Sequence, residues 1–262
     1  MSISSQLLIL NQTKQNVRTA INNKGVTVTD EAFADYPDKV RLIPNGGGIY
    51  ESNIILYVEA KQKNVVIPAG TETIGDYAFY CWYNTDERTN LETVSMPNTV
   101  TSIGAYAFSW NVALSTINFS TSLESIGTDA FQHCHSLQSV TLPSSMRTLG
   151  ADAFYECNIL SSVTLNEGLT SIGGGAFVRC YPLANITIPS TVTSIGQGAF
   201  NGCSSMQYAI CLPTTPPALG ADAFISSETY PIYVPDESVL AYQVADGWSV
   251  YSSRIKGISE KP

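Results

Sequence analysis

The sequence predicts a mainly β solenoid with short helical turns, built from about seven units of 23 residues and capped at both ends. Three observations predict it. A six-residue box recurs as IGDYAF (74–79), IGAYAF (103–108), IGTDAF (126–131), LGADAF (149–154), IGGGAF (172–177), IGQGAF (195–200) and LGADAF (219–224). Its closing residues Phe79, Phe108, Phe131, Phe154, Phe177, Phe200 and Phe224 are spaced 29, 23, 23, 23, 23 and 24 residues apart, the mark of stacked structural units. Three residues past the phenylalanine stand Asn111, Cys134, Cys157, Cys180 and Cys203, a column of small side chains. Six residues past it, or twelve in the longer first unit, begins a segment of period 2: LETVSMP, LSTINFS, LQSVTLP, LSSVTLN and LANITIP.

Each element follows from these patterns. Alternation of Val140 and Leu142 with Ser139 and Thr141 gives a strand with one buried face. Pro97, Pro143 and Pro189 end their strands because proline lacks a ladder donor. A shorter alternating piece, as in Val100, Thr101, Ser102 and Ile103, predicts a second strand before the box. The box itself reads as a glycine turn and a short helical turn that carries Ala and Phe inward. Phenylalanines and cysteines are then core residues, since free cysteine behaves as a small buried hydrophobe.

The ends do not repeat. Leu10, Thr13, Val17, Ala20 and Ile21 share a helical face, with Gly25 as its stop, VTVTD extended, and Asp30 starting a second short helix bearing Phe33, Tyr36 and Val40. Residues 1–45 are therefore expected to be a helical attachment or capping segment, and Gly46, Gly47 and Gly48 a hinge. The solenoid occupies 49–224 and a cap 225–262, in which Asp236 starts a helix with Val239, Tyr242 and Val244, Gly247 stops it, and Trp248, Tyr251 and Ile255 pack. Array ends need caps because an open strand row templates aggregation.

The LxxVxLP strand, the SIGxxAF box and the Cys/Asn column together resemble the BspA-type leucine-rich repeat, over about residues 65–224. That family occurs in surface proteins of gut and oral bacteria, in some protists and in phage-borne proteins. The resemblance implies a leucine-rich-repeat solenoid used as a non-enzymatic binding scaffold, and it names no partner. Independently, LNQTKQNVRTAINNKGVTVTDEAFADYPDKV (10–40) resembles a short module of tail and fibre proteins from phages of gut bacteria. The second resemblance implies a virion protein whose residues 1–45 attach to virion components while the solenoid meets a host-surface protein or glycan. The alternative is a bacterial cell-surface adhesin or a secreted interaction module.

Composition narrows the classes. The 13 Lys and Arg against 22 Asp and Glu give a net charge of −9, which opposes nucleic acid and anionic lipid. The run LLIL (7–10) is too short to span a bilayer and lacks the basic flank of an export signal, so no membrane insertion is expected. No GxSxG, HExxH or phosphate-loop motif is present, and the expectation is no enzyme and no cofactor. The two histidines, His133 and His135, flank Cys134 in FQHCHSLQ. They stand where other units have Glu156, Asn158, Arg179 and Tyr181, the variability of solvent-facing loop positions, and without a further ligand nearby in the chain the loop is expected to bind no metal. Asp129, Asp152 and Asp222 share a box position but are interrupted by Gly175 and Gly198, too sparse a set for calcium.

What remains is a surface. Outward strand positions form two columns, Thr93, Thr116, Ser139, Ser162 and Asn185, and Ser95, Asn118, Thr141, Thr164 and Thr187. These hydroxyls and amides suit hydrogen bonds to sugars and equally suit a plain exposed sheet. Loop aromatics Trp82, Tyr83, Trp110 and Tyr181 are the candidates for anchoring a partner.

Overall fold

In a computed structural model, residues 50–51, 54–55, 63–81, 91–225 and 229–262 are described. The helices expected in residues 1–45 and the glycine hinge lie outside them. The chain winds as a solenoid with two strand rows. Short strands, such as Ser102–Ile103, Ser125–Ile126 and Thr148–Leu149, form one continuous nine-stranded sheet from Tyr50–Glu51 to Ala218–Leu219. Every pairing in it is parallel except the first, where Tyr50–Glu51 runs antiparallel to Ile54–Ile55.

The long strands stand in register, Thr93 opposite Thr116 and Ser139 opposite Ser162. They do not make one flat sheet. The row is divided into three ladders: Asn64–Val66 to Thr116–Asn118, Ser139–Thr141 with Ser162–Thr164, and Asn185–Ile188 onward. The third ladder continues through Tyr208–Cys211 into Ile232–Val234 and Ile255–Gly257, so the C-terminal segment adds two strands as well as a helix.

The box carries Ala and Phe inward as expected, and its backbone adds what residue type does not display. It is a tight turn whose fourth residue is left-handed in every unit: Tyr77, Tyr106, Asp129, Asp152, Gly175, Gly198 and Asp222 all have φ between 52° and 64°. A left-handed residue ends any helical run, which is why no helix forms there. The box glycine is required by contact rather than by φ. A Cβ on Gly150 would sit 2.4 Å from the carbonyl carbon of Gly127 one turn before, so successive turns stack backbone on backbone at this point.

The core follows. The seven box phenylalanines are at most 1% exposed and stack as a column, with centroids 4.7 to 5.5 Å apart and interplanar angles of 3° to 11°. Beside them runs the thiol column. Cys134, Cys157, Cys180 and Cys203 each donate Sγ–H to the phenylalanine carbonyl of the preceding unit at 3.2 to 3.4 Å. Asn111 does the same with Nδ2, at 2.7 Å to Phe79 O. The column therefore selects a small donor, and asparagine and cysteine are alternative solutions. Burial pushes the thiols up, to about 12 for Cys157 and Cys203, so they stay protonated and able to donate. All six cysteines are buried thiols, not joined in disulfides.

Trp248 and Tyr251 close the column against Phe224, with centroids 5.6 and 6.0 Å away. The helix Val239–Val244 follows a 3-10 turn at Asp236–Ser238. Val244 is 77% exposed, because Tyr242 takes the inward face and donates its hydroxyl to Pro213 O at 2.7 Å. Trp248 Nε1 donates to Pro217 O at the same distance.

Candidate functional site

A second left-handed position lies two residues past the box phenylalanine on five successive turns, immediately before the thiol column. Trp110, His133, Glu156, Arg179 and Gly202 occupy it, with φ from 53° to 76°. Glycine takes this conformation freely, whereas a bulky L-residue is strained there by about 1–2 kcal/mol. Four of the five turns nevertheless carry large side chains, and these side chains meet.

The indole of Trp110 stacks on the imidazole of His133, centroids 3.8 Å apart at 28°. His133 Nδ1 lies 3.2 Å from Glu156 Oε2. The other oxygen of Glu156 pairs with Arg179 Nη1, which also reaches the Tyr155 hydroxyl at 3.4 Å. His135 stands edge-on to His133, ring centroids 5.6 Å apart. Burial opposes charge on Glu156, but Arg179, His133 and Tyr155 outweigh it and hold its carboxyl below the ordinary range. Burial lowers both histidines despite the nearby Glu156, favouring neutral imidazoles.

Next to this row runs the box row. Tyr77, 51% exposed, stacks on Tyr106 with centroids 4.9 Å apart and an angle of 5°. A hydrogen bond to Asp129 pushes the Tyr106 hydroxyl up to about 12. Burial raises Asp129 and Asp152 above the usual carboxylate range. Together the two rows form an aromatic and charged face along the turns.

The expected site residues divide accordingly. His133 and His135 are half-buried members of the turn face, a correction to their placement as solvent-facing loop positions; packing of Trp110 and the next turn covers them. The third ligand type that the chain lacked nearby is supplied 23 residues later by Glu156, since stacking brings one turn's loop against the next. Trp110 is half-buried within the row and Tyr181 is 44% exposed beside it. Trp82 and Tyr83 lie outside the described residues. The strand columns face outward: Thr116, Asn118, Ser139, Thr141, Ser162, Thr164, Asn185 and Thr187 are exposed, and Thr93 and Ser95 half-buried. Part of that surface is self-satisfied, Thr93 donating to Asn64 Oδ1 at 2.7 Å and Asn118 to Ser95 Oγ at 3.1 Å. Sequence reasoning missed Glu156, Arg179 and Tyr155 as a unit. The usable signal was the row itself, in which four consecutive turns avoid glycine.

Comparison with known proteins gives the fold a family. A leucine-rich repeat protein of T. pallidum is 30% identical, with 68% of this chain and 82% of that one covered at a TM-score of 0.60. A leucine-rich cell surface protein of Faecalibacterium prausnitzii is 28% identical over 69% of this chain at a TM-score of 0.61, and the chain spans half of that protein's length. The pneumococcal vaccine antigen PcpA shares the fold at 18% identity, with 72% of this chain and 62% of that one covered at a TM-score of 0.54. No curated protein matches the chain. Among the described residues no helix is long and apolar enough to cross a membrane. The model of the BspA type leucine rich repeat region matches in six copies across residues 52–159 and 83–207, more than half of the chain, and the protein belongs to that family.

Proposed function

We propose that the protein is a non-enzymatic binding scaffold presented at a bacterial surface or secreted, and that it engages a host-surface protein or glycan through the turn face. One observation carries the choice of face: Trp110, His133, Glu156 and Arg179 hold a strained left-handed conformation on four consecutive turns, while Gly202 fills the same position on the fifth. Backbone strain of this kind clusters at binding and switch sites, and here it coincides with large side chains that contact one another from turn to turn. The four turns, at about 4.8 Å each, span about 15 Å. Exposed Tyr181 flanks the row, and aromatic and arginine side chains supply most anchoring energy in interfaces.

The surface reading is favoured over the virion reading by its relatives, one of which is a bacterial cell surface protein. The virion reading rests on residues 10–40, outside the described residues. Binding of the purified chain to immobilised glycans and extracellular proteins tests the proposal. Binding lost in Arg179→Gly and Tyr181→Ala but kept in Thr141→Ala and Thr164→Ala supports it. The reverse pattern moves the site to the strand columns. Binding of residues 1–45 to purified phage tails would instead favour the virion role.

A further inference from the structure

Within the turn face, His133, His135 and Glu156 place one ligand atom each within 4.8 Å of one another, the cluster of this kind among the described residues. Two features single it out. His133 Nδ1 and His135 Nε2 are both buried and make no hydrogen bond, although buried polar atoms are normally paired. His133 Nδ1 does approach Glu156 Oε2 to 3.2 Å, a contact that forms no hydrogen bond. Donors that converge without satisfying one another are the arrangement that an ion completes. Asn158, one turn beyond His135, also has a buried Oδ1 without a partner.

We propose that His133, His135 and Glu156 bind a divalent transition-metal ion of the zinc class at the junction of two repeats. Two imidazoles and a carboxylate are a borderline donor set that suits zinc, copper or nickel rather than calcium or magnesium. Three protein ligands leave a position for water or for an oxygen of a partner. A tetrahedral site at bond lengths near 2.0–2.1 Å needs donors about 3.3 Å apart, so donors standing at the 4.8 Å limit of the cluster move inward by at most about an ångström and a half on binding. Glu156 has the freedom to do so by loosening its pair with Arg179, whose side chain is 51% exposed. The backbone supports this geometry because the left-handed conformation of residues 133 and 156 fixes how both ligand side chains leave their turns. The six buried thiols are withdrawn from competition while the solenoid is folded.

The experiment is titration of the full-length chain, free of any histidine tag, with zinc chloride by calorimetry and by metal analysis after dialysis. One ion per chain is expected, with affinity reduced at least tenfold in His135→Gln and in Glu156→Gln. Cobalt substitution should give a spectrum of nitrogen and oxygen ligation without thiolate charge transfer. Circular dichroism of each variant separates lost ligation from lost folding, and Asn166→Ala, on a different loop, serves as a control that keeps full affinity. Absence of stoichiometric zinc in the folded wild-type chain overturns the proposal, as does zinc that both variants retain or that thiolates bind. Metal alone is the probe, so these outcomes leave the partner-binding reading to its own test.

Discussion

Replacing Phe154 by alanine removes one ring from the middle of the phenylalanine column. The side chain is 0% exposed and lies between Phe131 at 5.2 Å and Phe177 at 5.5 Å. The flanking turns cannot close over the gap, because Phe131 N donates to Ala153 O and Phe154 N to Ala176 O, both at 2.8 Å, fixing the spacing of the stack. Lost transfer of the ring is worth about 2–3 kcal/mol, and with the unrelieved cavity the expected cost is about 3–5 kcal/mol. Urea unfolding followed by circular dichroism reads this. A cycle with Phe177→Ala should show coupling of about 0.5–3 kcal/mol, whereas a cycle with Phe79→Ala, three units away, should be additive within about 0.5 kcal/mol. A cost below about 1 kcal/mol, or equal coupling to near and distant rings, would refute the reading of the column as the nearest-neighbour core.

Other predictions test the remaining parts. Cys157→Ala should cost about 0.5–1.5 kcal/mol in the same unfolding assay, because Phe131 O loses one buried donor and keeps the Cys134 N–H, and the native thiols should react with a disulfide reagent no faster than the chain unfolds. Burial raises Asp129, so its protonated form is favoured by folding: stability should grow as pH falls from neutrality toward the ordinary carboxylate range and decline as pH rises through the raised pKa. Asp129→Asn, which keeps a residue tolerant of φ 55°, should flatten that profile and raise stability at neutral pH, measured by thermal melts across pH. Trp248→Phe should lower stability by about 1–3 kcal/mol through the unpaired Pro217 carbonyl.

The fold was legible because the repeat writes its core at fixed offsets. Phenylalanine, the thiol column and the alternating strand each recur every 23 residues, so seven copies average out local ambiguity. Conformation at single positions was less legible. Tyr77, Asp129 and Gly175 share a box position, and their only common property is the left-handed backbone they are made to adopt, which residue type alone does not display. The division of the long strands into three ladders leaves no trace in an alternating pattern that every unit shares. The turn face was hidden for another reason. His133, Glu156 and Arg179 look like loop variability along the chain, and only stacking turns sequence distance of 23 residues into contact.

The central claim is that the strained row serves recognition and not the fold, and the most direct measurement compares stability with binding in Arg179→Gly. Its side chain is half exposed and the substitution relieves a left-handed residue at φ 58°. Lost strain is offset by the greater freedom of glycine in the unfolded chain, so the unfolding free energy should stay within about 1 kcal/mol. Affinity for the glycan or protein captured on the array should fall at least tenfold. A loss of stability above 2 kcal/mol with binding intact would contradict the account and make the row a structural strut.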